Sequence, residues 1–197
     1  MNYQRLYDRM APFYAPLIRL LPVWLRYVQP VLPWLDQKQG VLEIGPGPGL
    51  LHVQIARNHA FTAGLDLSSG MVRHTQRRLR RQALTPRLVQ ANAIQLPFED
   101  DAFDGIVLTF VFSAIPDGVA ALREMQRVLR PMGVMLIDAC VPRHGNVVAR
   151  GLGQLCVLFG DQLRDEAALM RTVGFNVIER KEYGAFQSIR LTVASKT

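Results

Sequence analysis

Cysteine, acidic residues and long apolar runs are all scarce in this chain of 197 residues. Its two cysteines, Cys140 and Cys156, are far apart and form no C-x-x-C pair. This spacing argues against a disulfide or a metal site, and we expect two small buried hydrophobic residues in a reducing compartment. The four histidines show no ligand spacing with cysteine, aspartate or glutamate, so the sequence predicts no metal site.

The N-terminal segment from Tyr3 to Leu35 is rich in apolar residues, but it lacks the uninterrupted run that a membrane span needs. A spanning helix requires roughly 18 or more consecutive apolar residues. Arg19 and Arg26 interrupt this segment, and prolines between positions 22 and 33 break any long helix. We therefore expect no span, whereas short amphipathic pieces that cover an apolar pocket or lie on a membrane surface stay open.

The 16 acidic residues are outnumbered by 23 lysines and arginines, which gives a net charge of +7. Such a balance points to nucleic acid or an anionic membrane as a partner. Part of the excess is local, because five arginines crowd the stretch from Arg73 to Arg81. Val72, Leu79 and Ala83 share one side of the helix predicted there. A solvated helix face and an anion-binding role are both consistent with this pattern.

Strand-like and helix-like segments alternate along the rest of the chain. We predict strands at 41–45, 61–66, 87–91, 104–110 and 133–140. Helices are predicted at 50–58, 69–83, 117–130 and 162–173. The alternation is typical of βαβ units, so we expect an α/β fold with a doubly wound, mainly parallel sheet.

Two further strand-like runs, 176–183 and 186–195, are joined by a link too short for a helical crossover. They predict an antiparallel hairpin at the edge of the sheet. The sequence contains no internal repeat, linker or low-complexity tract. We therefore expect one compact unit, with an N-terminal helical cap at 1–37 and the α/β domain at 38–197.

The most informative motif lies between Val41 and Leu51, where a short apolar run gives way to three glycines at alternate positions. A buried strand would end there in a tight turn and lead into a helix. Glycine accepts a positive φ without steric cost, and it leaves the backbone open for a ligand to lie against. A glycine-rich turn between a strand and a helix is typical of nucleotide binding.

Asp66 closes the second predicted strand, 21 residues after Gly45. An acidic side chain at this point can accept two hydrogen bonds from the vicinal hydroxyls of a ribose. Dinucleotide-binding and S-adenosylmethionine-binding folds both use such a residue. The alternative is a helix N-cap, for which Ser68 and Ser69 are equally suited.

The spacing of the glycine turn and three further motifs distinguish the two classes. The turn has the spacing Glu-x-Gly-x-Gly-x-Gly, not the G-x-G-x-x-G of dinucleotide-binding proteins. Asn92-Ala93-x-x-Leu96-Pro97-Phe98 follows the third strand, Phe103-Asp104 opens the fourth, and Arg127 to Gly133 leads into the fifth. In this order, over residues 41–140, the chain resembles the class I S-adenosylmethionine-dependent methyltransferases. It is most similar to the small-molecule branch with quinone-biosynthesis and phospholipid N-methyltransferases.

The resemblance implies a Rossmann-like sheet of seven strands with an antiparallel last strand, and S-adenosyl-L-methionine as the cofactor. It assigns the methionine part to Glu43 and the backbone of Gly45, Gly47 and Gly49, and the ribose to Asp66. It assigns the adenine to Leu67, Met71, Asn92 and Ala93. The family usually has aspartate at position 92, and an asparagine carbonyl can still accept from an exocyclic amine. Met132 replaces a usual glycine in the turn before the fifth strand.

The stretch from Tyr7 to Tyr14 is similar to the Tyr-Asp-x-x-Ala-x-x-Tyr-Asp opening of the quinone and phospholipid branch, with Ala15 in place of the last aspartate. The resemblance implies that both tyrosines line the methyl-transfer pocket, and ordinary core packing is the alternative. His144 follows the fifth strand on the cofactor side, where it is a candidate base or head-group contact. A bystander role in the loop is its alternative.

These features together predict in-line methyl transfer to a small, hydrophobic or lipid-like acceptor. We expect a cytoplasmic protein with peripheral contact at the anionic inner membrane surface. The chain has no Pro-Pro dipeptide and no Pro-Cys motif, so the signatures of nucleic-acid methylation are absent. RNA methylation through the basic face, a nicotinamide-dependent oxidoreductase and a non-catalytic cofactor-binding module are the alternatives.

Overall fold

The computed structural model describes residues 27–140, 164–183 and 189–197 of the chain. The strands in these ranges are β1 Gly40–Ile44, β2 Phe61–Asp66, β3 Leu88–Gln90, β4 Phe103–Thr109, β5 Leu129–Cys140, β6 Phe175–Tyr183 and β7 Ile189–Lys196. The α-helices are α1 Leu32–Leu35, α2 Leu50–Asn58, α3 Ser69–Arg80, α4 Gly118–Val128 and α5 Glu166–Thr172. Short 3-10 turns occupy Gln29–Val31 and Phe112–Ala114.

The strands form one seven-stranded sheet in the order β3-β2-β1-β4-β5-β7-β6. β1 to β5 pair in parallel, whereas β7 lies antiparallel to both β5 and β6. The chain order reverses between β1 and β4, and ligand crevices in open α/β sheets form beside such a reversal, at the carboxyl ends of the strands. The predicted fold class and the antiparallel hairpin are confirmed.

Side-chain caps fix the starts of three helices. Ser68 accepts a hydrogen bond from the backbone of Met71 at the start of α3. Asp117 accepts a hydrogen bond from the backbone of Ala120 at the start of α4, and Asp165 accepts one from the backbone of Ala168 at the start of α5. Each cap satisfies a backbone N–H that the helix leaves unpaired. Ser68, and not Asp66, therefore caps α3.

Some predicted boundaries differ from the observed ones. The helix predicted at 69–83 ends at Arg80, because Ala83 has a φ of 55° and leaves the helical conformation. β5 begins at Leu129, four residues earlier than predicted, which shortens the preceding helix to Val128. In the turn within β5, Met132 has a φ of 60° and is 76% exposed. Methionine thus adopts the left-handed conformation for which glycine is the usual residue.

The sheet buries apolar side chains on both faces. Leu42, Ile44, Ile106 and Met135 belong to the core that α4 and α5 cover. Val41, Val107, Leu136 and Val193 belong to the opposite core, with Leu51 and Ile55 of α2. On this second face Val28, Val31 and Leu35 of the N-terminal segment are completely or almost completely buried.

The described part of the predicted N-terminal cap, residues 27–37, therefore packs against the sheet, and residues 1–26 lie outside the described residues. The division at residue 37 stays a prediction. In the part of the chain that the structure describes, no helix is long and apolar enough to cross a membrane.

Candidate active site

The glycine turn lies directly after β1, and two of its glycines are required by the protein's own packing. Gly45, Gly47 and Gly49 have φ values of 70°, 51° and 74°. A Cβ at Gly45 would lie 2.4 Å from Cγ2 of Val111, and one at Gly49 would lie 2.5 Å from Cγ2 of Thr75. The sequence predicted that a ligand needs the space at these positions. The structure instead shows that Val111, in the loop after β4, fills the space next to Gly45, and that Thr75 of α3 fills the space next to Gly49.

Asp66 joins the end of β2 to the glycine turn. Its Oδ2 accepts a hydrogen bond from the Gly47 backbone at 3.2 Å, and its Oδ1 accepts one from the Ser68 backbone at 2.9 Å. The Thr75 hydroxyl donates to the Gly47 carbonyl at 2.7 Å. These bonds hold the carboxylate and the turn against each other. A carboxylate oxygen has two lone pairs, so neither bond uses up the accepting capacity of Asp66.

Glu43 is buried beneath the turn and is paired with a histidine that sequence reasoning did not assign. Oε2 of Glu43 lies 2.9 Å from Nδ1 of His52, and each side chain is 1% exposed. The ring of His52 lies against Gly64 of β2, where a Cβ would be 2.8 Å from Cε1. Among the described residues, Nε2 of His52 has no hydrogen-bond partner, so the contact with Glu43 is what orients the ring. The inward position of His52 on an amphipathic helix was the available signal.

The residues assigned to the adenine lie at the ends of β2 and β3. These two strands are paired, and Asp66 of β2 lies opposite Gln90 of β3. Leu67 is 36% exposed, whereas Met71 is 2% exposed and belongs to the core. Asn92 is exposed and its Oδ1 accepts a hydrogen bond from the Ile94 backbone at 3.2 Å. Ala93 is almost completely buried. The structure thus brings these positions to the same edge as the glycine turn.

Arg127 anchors the loop that follows β3. Its guanidinium donates to the carbonyl oxygens of Leu96 and Phe98 at 3.0 and 2.8 Å, and to Asp100 Oδ1 at 2.8 Å. Glu124, one turn earlier on α4, accepts from Arg127 and from the Leu96 backbone. The hydrogen bond from Arg127 holds the pKa of Glu124 below its usual value. The motif after β3, which contains Leu96 and Phe98, and the motif before β5, which contains Arg127, are therefore in direct contact.

A second buried carboxylate, Asp138, lies near the carboxyl end of β5. The Tyr183 hydroxyl is 2.9 Å from Asp138 Oδ1 and 2.5 Å from the Tyr27 carbonyl oxygen. The hydroxyl proton is shared between these two acceptors, and its bond to Oδ1 favours the ionised carboxylate. Burial acts in the opposite direction and outweighs this bond, so it raises the pKa of Asp138 to about 7.

The three residues predicted to contact the acceptor, Tyr7, Tyr14 and His144, lie outside the described residues. Their assignments stay predictions. Sequence reasoning also did not assign Thr75, Val111 or Asp138. An aspartate inside an otherwise apolar strand was the visible signal for Asp138. Thr75 and Val111 carry no such signal, because their roles depend on which glycine faces them.

A glycine turn after the first strand, a carboxylate at the end of the second and a reversal of strand order beside them define a nucleotide-binding α/β domain. Comparison with known proteins specifies the family. Residues 42–137 match the family model described as a methyltransferase domain.

Two relatives by sequence are quinone methyltransferases. The 2-phytyl-1,4-naphtoquinone methyltransferase of Trichormus variabilis is 30% identical over 135 residues, which cover 64% of this chain and 59% of that protein. The ubiquinone/menaquinone biosynthesis C-methyltransferase of Proteus mirabilis is 33% identical over 120 residues, which cover 58% of this chain and 47% of that protein. The chain thus aligns with about half to three fifths of the length of these relatives.

A solved structure with the same fold is phosphoethanolamine N-methyltransferase 2 of Haemonchus contortus, in complex with S-adenosyl-L-methionine. It has a TM-score of 0.72 and 17% identity, and the match covers 88% of this chain and 52% of that chain. At this identity the likeness shows the fold. Residues 42–137 thus match the methyltransferase domain, and the relatives by sequence and the fold are those of S-adenosylmethionine-dependent methyltransferases.

Proposed function

We propose that this chain transfers a methyl group from S-adenosylmethionine to a small hydrophobic acceptor. The observation that carries the proposal is the position of Asp66, whose carboxylate is bonded to the glycine turn through Gly47 and to the start of α3 through Ser68. Two short backbone contacts orient both oxygens at the edge where β1, β2 and β3 end. Such an orientation suits the vicinal hydroxyls of a ribose.

The residues at this edge fit the cofactor of the family. The carboxylate oxygens of Asp66 can accept from hydroxyl donors. The half-exposed Leu67 offers an apolar surface for a purine ring, and the exposed amide of Asn92 offers both a donor and an acceptor. When bound, S-adenosylmethionine supplies a methyl group on a positively charged sulfur. The contribution of the chain is to bind, to orient and to exclude water.

Glu43 places a buried carboxyl group directly below the glycine turn. The contact with Nδ1 of His52 at 2.9 Å orients this group. We assign Glu43 to the methionine part of the cofactor.

A hydrophobic acceptor is supported by two observations. The relatives above are named for naphthoquinone, ubiquinone and menaquinone substrates, which are apolar ring compounds. The N-terminal segment of this chain is also apolar, and its described part packs against the second core face. Tyr7 and Tyr14 are our candidates for the acceptor pocket, with His144 as a candidate base. We place such a protein in the cytoplasm, in peripheral contact with the inner membrane.

Isothermal titration calorimetry tests the cofactor assignment. We expect S-adenosylmethionine and S-adenosylhomocysteine to bind and NADH not to bind. Asp66→Ala should abolish binding, whereas Ser68→Ala, which removes the helix cap but keeps the carboxylate and the backbone donor, should bind normally. Unchanged affinity in Asp66→Ala would refute the ribose contact. Binding of NADH alone would indicate an oxidoreductase.

An acceptor screen with radiolabelled S-adenosylmethionine tests the substrate class. Demethylated quinone precursors and phosphatidylethanolamine are the first acceptors to offer, with a transfer RNA mixture as the comparison. Methylation of the quinone precursors is the expected result. Methylation of RNA alone would overturn the hydrophobic acceptor, and binding without transfer to any acceptor would indicate a non-catalytic module.

A further inference from the structure

The positive charge of this protein is concentrated in one part of the chain. Residues 44–98 contain seven arginines and one carboxylate, Asp66, and so account for +6 of the net charge of +7. Their only acidic residue is engaged at the glycine turn. The arginines in this segment therefore have almost no local carboxylate with which to pair.

Four of these arginines, Arg73, Arg77, Arg80 and Arg81, form an arginine stripe along α3 and its C-terminal cap. Spacings of four and three residues place the first three on one face of the helix. The opposite face is the buried one, which carries Val72, Thr75 and Leu79 among others. All four arginines are exposed, and none makes an ion pair within the described ranges. The stripe faces solvent and extends about 10 Å.

Two more arginines extend the positive surface beside the stripe. Arg57, at the end of α2, donates to the side chain of Gln82, just after the stripe. Arg87 lies over the ring of Phe61, 4.9 Å from its centroid. Neither contact neutralises the positive charge. The surface therefore combines a strong positive field with the lack of internal partners that marks a site for an anionic surface.

We propose that the arginine stripe docks the protein on an anionic lipid bilayer. Charge complementarity favours any extended anionic surface, and two observations favour lipid over nucleic acid. No phenylalanine, tyrosine or tryptophan lies among the four arginines for a base to stack on, and the nearby Phe61, 43% exposed, already has the Arg87 guanidinium 4.9 Å from its ring centroid. The choice of lipid also rests on the proposed hydrophobic acceptor, which a bilayer would hold.

Vesicle co-sedimentation with the full chain tests this assignment. The probes are vesicles of phosphatidylcholine alone and vesicles that also contain phosphatidylglycerol. The test variant is Arg73→Gln/Arg77→Gln/Arg80→Gln, in which glutamine keeps the helix propensity. The matched control is Arg123→Gln/Arg171→Gln/Lys181→Gln, which removes three exposed cations outside the segment 44–98.

The wild-type chain should bind only the anionic vesicles and should dissociate as salt is added. Each basic residue near an anionic surface contributes about fivefold to partitioning, so the stripe variant should lose on the order of 100-fold. The control should change by less than about threefold, because its charges lie away from the contact. Thermal unfolding of both variants checks that they are folded.

Three results would overturn the proposal. Equal losses in both variants would mean that only the net charge matters. Binding to RNA but not to vesicles, lost in the stripe variant, would assign the stripe to nucleic acid. Binding to neither would make it a solvated helix face. Vesicle binding needs neither cofactor nor acceptor, so a failure of the proposed methyl transfer, seen by calorimetry and in the acceptor screen, is distinguishable from each of these.

Discussion

The two halves of the sheet, β1 to β3 on one side and β4 to β7 on the other, use charge in different ways. On the side of β4 to β7, Arg127, Arg130, Arg190 and Lys196 each contact a carboxylate, and each joins segments distant in sequence. On the side of β1 to β3, the arginine stripe makes no such pair within the described residues. Charges on the first of these sides hold loops in place. Charges on the other remain available to something outside the chain, and this side also carries the cofactor edge.

Two of the three buried carboxylates among the described residues, Glu43 and Asp138, show the same contrast in reverse. Glu43, in β1, has a histidine ring nitrogen at 2.9 Å. Asp138, in β5, accepts from the hydroxyl of Tyr183, and within the described ranges it contacts no cation and its Oδ2 has no hydrogen-bond partner. Burial without a cation favours the protonated form of a carboxyl group. The side with many ion pairs therefore contains the carboxyl group that needs a proton.

The largest effect is expected at Asp138, as a pH dependence of stability. Its pKa in the folded state, about 7, lies above the ordinary value of 3.8. The folded state therefore holds a proton that the unfolded state has lost, so this stabilisation is complete below about pH 4 and disappears as the pH rises through 7. The difference corresponds to a loss on the order of 4 kcal/mol. Asp138→Asn, which imitates the neutral acid, should remove this dependence.

Urea denaturation between about pH 4 and pH 8 measures this effect. The titratable groups of the described residues on the same face include Tyr183, Tyr27, Glu179, Lys181 and the Glu43–His52 pair. His52→Gln is the matched control. Stability of Asp138→Asn that still falls with the wild-type slope would show that another group carries the proton.

The next effect concerns Gly45, where the turn on one side of the sheet meets Val111 from the other. Gly45→Ala should cost about 3 kcal/mol, because the positive φ and the contact with Val111 are both unfavourable. Adding Val111→Ala should recover the steric part and leave the backbone part. Gly40→Ala is the control, since its Cβ would meet no atom closer than 3.6 Å. A similar loss at both glycines, measured by urea denaturation, would contradict the packing argument.

A direct comparison of the two kinds of arginine follows. Arg127→Met should destabilise the protein by about 2 kcal/mol, because it leaves the Leu96 and Phe98 carbonyls and two carboxylates without their donor. Partial exposure of Arg127 limits the loss. Arg77→Met should change the stability by less than about 0.5 kcal/mol. Hydrogen exchange in the loop from Leu96 to Asp100 should rise in the first variant only. Equal losses of stability in the two variants would contradict the contrast between the two sides of the sheet.

The smallest effect is expected in the turn of β5. Met132→Gly should stabilise the protein by about 0.5 kcal/mol, because relief of the left-handed strain slightly exceeds the added freedom of the unfolded chain. The side chain of Met132 is 76% exposed, so little packing is lost. A rise of the thermal midpoint by about 1 to 2 °C is the measurement. A lower midpoint would mean that the methionine side chain makes a contribution that its exposure does not suggest.

Local sequence signals sufficed for the elements nearest the site. The helix at 50–58 and the strand at 61–66 have the predicted bounds, because a glycine precedes the helix and an acidic residue closes the strand. The antiparallel hairpin was predictable from the short link between its strands. The three glycines and Asp66 were predictable because their spacing along the chain corresponds to neighbouring strands of a parallel sheet.

The remaining features depend on neighbours that are distant in sequence. The partner of Glu43 follows from the packing of α2 on β2. The reasons for Gly45 and Gly49 are Val111 and Thr75, which the sequence does not distinguish from other core residues. The raised pKa of Asp138 comes from its burial, and its hydrogen-bond partner Tyr183 is 45 residues away and also contacts the Tyr27 carbonyl, 156 residues from Tyr183. Sequence patterns specify which face a residue occupies, and not which side chain it meets there.

The position of β7 between β5 and β6 has a consequence for how the chain folds. β6 precedes β7 in the chain but reaches the sheet only through it, so β5 stays an open edge until the later strand inserts. Seven residue pairs join β5 to β7, and all of them must wait for that step. An unpaired edge of mostly apolar residues is a template for association with other chains. Slow refolding with losses that grow with protein concentration is therefore built into this topology.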